Sequence, residues 1–119
     1  MHVYSFEKLD VWREANQLAI KIYKITELFP NEEKYGLISQ MRRCSVSISS
    51  NIAEGASRLT KKDKAHFMTY AYSSTMELLN QTIISKELEF ISDEHYKSIR
   101  LDVESITNKL NALRNHFLK

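Results

Sequence analysis

The chain has 119 residues, 43% hydrophobic and 27% charged, with seventeen Lys and Arg against fifteen Asp and Glu. That describes one domain, residues 1–119, with a sizeable core rather than a disordered segment, and a formal charge of +2 does not by itself point to nucleic acid. Two glycines and one proline are too few for the many tight turns of a multi-stranded sheet, which leaves an all-α fold.

The first helix is expected from about Glu7 to Leu28, with Leu9, Trp12, Ala19, Ile22, Ile25 and Phe29 on its apolar face. Phe29-Pro30-Asn31 stops it, because the residue before a proline avoids the helical region. Asn31 is then a good N-cap for a second helix, with Glu32 and Glu33 in its first turn. In that helix Leu37, Met41, Cys44, Ile48 and Ile52 recur every three or four residues, and a polar row of Gln40, Arg43, Ser47, Asn51 and Glu54 runs beside them at the same spacing. The helix ends near Gly55, a plausible left-handed terminal residue.

Thr60, with Asp63 three residues on, opens the third helix as a capping box with the shorter acid. Phe67, Met68, Ala71, Tyr72, Thr75, Leu78, Leu79 and Thr82 form its inner face, and it fades near Leu88. Ser92 caps the fourth helix, whose pattern is the cleanest in the chain: Tyr96, Ile99, Val103, Ile106, Leu110, Leu113 and Phe117. Four long helices with short connections make an antiparallel, up-down-up-down four-helix bundle.

The second helix is unusual on the side away from its core. Ser39, Val46, Ser49, Ser50 and Ala53 are small, and only Arg42 is long. A bundle face in water carries Lys, Glu and Gln, and serine is a poor choice for an exposed helix interior. Arg42, Val46, Ser49, Ser50 and Ala53 are therefore expected to meet another subunit; the plain alternative is a serine-rich exposed helix. A fold-back at Ser57 to Leu59 sets Arg43 opposite Ser74 and Gln40 opposite Glu77. A polar network of Gln40, Arg43, Asn51, Glu54 and Glu77 follows, inside the bundle or between subunits, fixing register and partner choice more than adding stability.

Chemistry is harder to find. Of His2, His66, His95 and His116, none follows a Glu by three residues, as a di-iron bundle requires. No Cys cluster or His pair has metal-ligand spacing, so neither metal nor cofactor is expected. Cys44 sits in the apolar stripe and reads as a small buried hydrophobe. Ser45 to Ser50 lack a nucleophile elbow, and two isolated glycines make no phosphate loop. The chain reads as a non-enzyme. Arg58, Lys61, Lys62 and Lys64 cluster at the turn between the second and third helices, where a symmetric oligomer would repeat them as a ring able to hold RNA or DNA phosphates. The plain alternative is a solvated helix start. The aromatic residues fall mostly at core spacings, so no platform for stacking bases is evident. No signal-peptide centre and no run approaching the ~20 apolar residues of a membrane span are present, so the expected compartment is the cytoplasm.

Tyr35-Gly36-Leu37, Gln40-Met41-Arg42-Arg43, Ser47-Ile48 and Asn51-Ile52-Ala53-Glu54-Gly55 together resemble the four helix bundle protein family, also called 23S rRNA intervening-sequence proteins. Phe6-Glu7-Lys8-Leu9, Val11-Trp12 and Phe29-Pro30 match as well, and so does Ala71-x-x-Ser74-x-x-Glu77, although Ser73 stands where glycine is usual. The resemblance implies an antiparallel bundle assembled as a ring-shaped homopentamer. It also implies kinship with proteins encoded within bacterial 23S rRNA genes and with retroelement accessory subunits that bind reverse transcriptase and nucleic acid. The function expected is a homo-oligomeric accessory factor with possible RNA or DNA binding through a basic surface. A scaffold that contacts only protein is the alternative.

Overall fold

A computed structural model describes all 119 residues. Four helices, α1 (Asp10–Thr26), α2 (Leu37–Ala56), α3 (Lys61–Glu87) and α4 (Asp93–Leu118), pack in a closed cycle in which each touches its chain neighbour and α4 returns to α1. Cross-helix pairs fix the directions. Lys21 meets Ser98 and Asp102 while Glu14 meets Ser105 and Lys109, so α1 and α4 are antiparallel; Ser47 meets Ser74 and Gly55 meets Phe67, so α2 and α3 are too. The body measures 44 × 30 × 22 Å.

The core lies on the expected stripes. Val11, Ala15, Leu18, Ile22 and Ile25 of α1 face Met41, Cys44, Ile48 and Ile52 of α2, Met68, Ala71 and Leu78 of α3, and Ile99, Val103, Ile106 and Leu110 of α4. Each large apolar side chain sealed there contributes roughly 1.5–3 kcal/mol. On α3, part of the core face is hydroxyl. Thr75, Thr82 and Ser85 are fully buried, each donating to the carbonyl four residues back (2.8 Å in every case), so none of these three hydroxyls is left without an acceptor.

The helix ends depart from expectation in instructive ways. Before α1, Ser5–Lys8 form a 3-10 turn in which the Glu7 carboxylate accepts from the Tyr4 N–H (2.7 Å), so Glu7 closes a separate turn instead of opening the helix. Asn31 does not cap α2. Asn31–Glu33 make their own 3-10 turn, and Glu33 Oε1 takes the Leu37 N–H (3.2 Å) in the role assigned to Asn31. Thr60 and Ser92 cap as expected, accepting from Asp63 N and His95 N, each at 3.1 Å, but the Asp63 carboxylate makes no return bond to Thr60 N–H, so only half of the expected box forms.

Gly55 is not left-handed; no glycine has positive φ. It is a buried residue inside the last turn of α2, and a Cβ there would lie 2.5 Å from Phe67 Cβ and 2.6 Å from Met68 Cε. Glycine is needed for contact with α3, not for a turn. The left-handed position falls on Glu89 (φ 63°) after α3, where Phe90 N–H bonds Ser85 O (2.9 Å) and Glu89 N–H bonds Lys86 O (3.0 Å), the double bond of a Schellman end.

Candidate functional site

The polar row of α2 divides into two short groups. Arg43 Nη2 donates to Gln40 Oε1 (2.7 Å) and to Glu77 Oε2 of α3 (3.0 Å), and Cys44 Sγ–H donates to the same Glu77 oxygen (2.9 Å). One turn on, Asn51 Nδ2 donates to Ser47 O and Oγ (2.9 and 3.1 Å), and Ser47 Oγ bonds Ser74 Oγ (2.9 Å). Asn51 is thus bound to serine and not to Arg43, and the exposed Glu54 side chain joins neither group. The facing residues stand about one turn further along α3 than the fold-back suggested. The extended backbone at Thr60 carries α3 past the end of α2 before its helix begins.

Within the chain the Arg43–Glu77 pair is open to water, with 61% and 48% of the two side chains exposed, which excludes a buried ion pair inside the bundle. A pair so exposed contributes at most ~1 kcal/mol. Burial acts instead on Cys44, which is 1% exposed. Burial, then the Glu77 hydrogen bond and charge, push its thiol up to about 11, so it stays protonated and unreactive at neutral pH.

The small face of α2 is partly consumed by α1. Ser45 and Ser49 are buried within the chain and bond their own helix, at Arg42 O (2.9 Å) and Val46 O (3.3 Å). Ser49 is therefore mostly covered by α1 and reaches the surface only at the wall of the groove beside Val46. Arg42 is also engaged: Nε donates to Thr26 Oγ1 (2.9 Å), Nη2 donates to Tyr23 O (3.2 Å), and the guanidinium lies 4.7 Å from the Tyr23 ring centroid. It ties down the C-terminal end of α1, where a cation is favoured. Val46 and Ser50 are exposed and Ala53 is half-buried. Val46 shares with the exposed Ile20 and Tyr23 a groove of about 350 Å³ between α1 and α2.

The four cations Arg58, Lys61, Lys62 and Lys64 gather at one end of the bundle. Arg58 stacks 4.5 Å from the Phe67 centroid, Lys61 Nζ donates to Lys119 O (2.7 Å), and Lys64 Nζ caps the last turn of α2 through Ala56 O (2.8 Å). None of the four pairs with a side-chain carboxylate, whereas Arg13, Lys21, Arg43, Lys86 and Lys109 all do. Arg58 is oriented by an aromatic ring and Lys61 and Lys64 by main-chain oxygens, so no side-chain carboxylate offsets the charge of the four.

Periodicity missed one grouping. Tyr23 and Tyr35 fall off the apolar stripes, and both are exposed beside Lys34, Arg42 and Arg43. The available signal was an aromatic residue off the apolar stripe at each place: Tyr23 follows the core residue Ile22, and Tyr35 stands between Lys34 and Gly36 ahead of the α2 stripe.

No group of three or more His, Cys, Asp or Glu converges as a metal site would require, and no helix is long and apolar enough to cross a membrane. No curated protein matches this chain. A crystal structure from Bacteroides thetaiotaomicron VPI-5482, described as a protein with unknown function from the S23 ribosomal protein family, has the same fold. It aligns with a TM-score of 0.81 and 24% identity, over 87% of this chain and 97% of that one. The family model for the 23S rRNA-intervening sequence protein matches residues 7–112, nearly the whole bundle, and the chain belongs to that family.

Proposed function

We propose that this chain is a non-enzymatic, cytoplasmic assembly protein: a homo-oligomer of helical bundles, pentameric by family resemblance, that binds RNA or DNA phosphates with little sequence preference. The observation that carries the nucleic-acid reading is the set Arg58, Lys61, Lys62 and Lys64, gathered at one end and without acidic partners. Symmetry would multiply the set into a continuous positive rim. Assembly is supported by Val46, which with the exposed Ile20 leaves an apolar groove wet in a lone bundle, and by the small residues Ser50 and Ala53 further along α2. Arg43 and Glu54 lie on α2 with Val46, Ser50 and Ala53, and the open pair that joins Arg43 to Glu77 of α3 would lose water only against a neighbour.

Light scattering at several concentrations tests assembly: a particle of monomer mass throughout rejects it. Fluorescence anisotropy with mixed-sequence RNA and DNA tests binding, and affinity should fall steeply with salt. Charge reversal of Lys61 and Lys62 should weaken binding and flatten the salt slope without changing particle mass. A salt slope near zero would favour the second reading, a scaffold that contacts only protein. That reading is supported by the in-chain engagement of Arg58, Lys61 and Lys64. A reverse transcriptase is then the partner to test.

A further inference from the structure

At the start of α2 a groove of about 410 Å³ is lined by Tyr23, Lys34, Tyr35, Arg42 and Arg43, together with Ile38 and Ser39, and has no carboxylate in its wall. Tyr35 is 86% exposed and Tyr23 is 43% exposed. Each ring carries a cation, Arg42 over Tyr23 at 4.7 Å and Lys34 over Tyr35 at 5.6 Å. Arg43 is shared with Glu77, but Lys34 and Arg42 have no acidic partner. The two bonds from Arg42 to Thr26 and to the Tyr23 carbonyl hold its charge at the groove in advance of any ligand.

One exposed tyrosine is ordinary. Two in one groove, flanked by fixed cations and free of acids, combine the two features that single-stranded nucleic acid uses: aromatic faces for unpaired bases and positive charge for the backbone. We propose that this groove binds single-stranded RNA or DNA, with a base stacked on Tyr35 and phosphates drawn to Lys34 and Arg42. A duplex keeps its bases in their own stack and offers the groove only phosphates. An acidic peptide would meet the cations but leave the open face of Tyr35 without a planar partner. The inference rests on the nucleic-acid reading above and adds a second site to it. Lys34 and Tyr35 precede α2 and Arg58 follows it, so the two sites are separated by a 20-residue helix, about 30 Å long. The groove is the site that distinguishes single strands, whereas the lysine-rich end attracts any polyanion.

The test is anisotropy with a fluorescein-labelled oligouridylate of about twenty nucleotides and a duplex of equal length. Tyr35→Ala should weaken single-strand binding about five- to hundredfold and leave duplex binding unchanged, while Tyr35→Phe, which keeps the ring, should bind as the unaltered protein does. Lys34→Ala should weaken both and lower the salt slope by about one. Tyr35 is exposed, so circular dichroism should show an unchanged fold. If Tyr35→Ala binds the single strand as well as the unaltered protein does, the groove is not the site, and a concurrent loss in the Lys61→Glu, Lys62→Glu variant would place binding at the other end. If poly-glutamate displaces the oligouridylate from the Lys61→Glu, Lys62→Glu variant as well as unlabelled oligouridylate does, the groove takes acidic peptide and the proposal is overturned. If the unaltered protein binds neither probe at low salt, the nucleic-acid reading itself fails, and the groove proposal with it.

Discussion

Replacing Gly55 with alanine puts a methyl group where α3 already stands. Its Cβ would lie 2.5 Å from Phe67 Cβ and 2.6 Å from Met68 Cε, against an ordinary contact of 3.4 Å or more. The Met68 methyl can swing aside, but Phe67 Cβ is one bond from the backbone, so α3 itself must retreat by something near 1 Å. Overpacking of that kind costs about 1–3 kcal/mol. Alanine returns about 0.5–1 kcal/mol as the better helix former. The net expected loss is about 1–2 kcal/mol. At about 2.1 cal/mol/K per residue, the unfolding entropy of a 119-residue chain is roughly 0.25 kcal/mol/K, so Tm should fall by about 4–8 °C. Thermal melts followed by circular dichroism, repeated over a range of protein concentrations to separate association from folding, measure this. Gly36→Ala is the comparison: its Cβ would meet Glu33 Oε1 at 2.9 Å, so the expected cost is the loosened cap on Leu37 N–H and not a displaced helix. A Gly55→Ala protein with an unchanged or raised Tm would refute the close approach of α2 and α3.

Glu89→Gly should raise stability by up to about 1 kcal/mol, seen as a higher urea midpoint, because a left-handed residue with a side chain costs about 1–2 kcal/mol that glycine avoids, less its extra unfolded-state entropy. The ultraviolet thiolate absorbance, taken as the difference from a Cys44→Ser variant so that tyrosinate cancels, should rise only toward pH 11, and earlier in Glu77→Gln, which removes the charge opposing ionisation. Burial alone would raise the Glu14 carboxyl, but hydrogen bonds from Lys109 and Ser105 outweigh it and hold the group below the ordinary range. Its contribution is therefore present at neutral pH and lost as pH falls through the lowered value, so the stability gap between the protein and Glu14→Gln should narrow in acid melts.

Helix existence and the core were legible because one physical signal, apolar spacing, reports both. Met41, Ile48, Ile99 and Ile106 could be placed from it alone. Caps at Thr60 and Ser92 were legible for a related reason: each is a local bond three residues long. What escaped were features decided by distant residues. Gly55 resembles a helix terminator until Phe67 is known to lie against it. Ser49 looks outward-facing until α1 covers it, and Arg42 looks free until Thr26 and the Tyr23 carbonyl are brought to it. Asn31 lost its capping role to Glu33, which reaches across Gly36 to the first free N–H of α2. Tyr35 escaped because aromatic residues are read by default as core.

The hydroxyl row of α3 has an effect on how its partners find their places. Thr75 and Thr82 lie seven residues apart and each is satisfied by its own backbone, so neither asks anything of the helices it touches. After a shift of two turns the threonine steps alone would match, whereas Ala71 and Leu78 at the same spacing would not. Alignment along this side of the bundle is therefore shared between that change of size and stops at the ends and edges. The Ser47–Ser74 bond is one, and the Lys86–Asp93 clasp across the tight return into α4 is another.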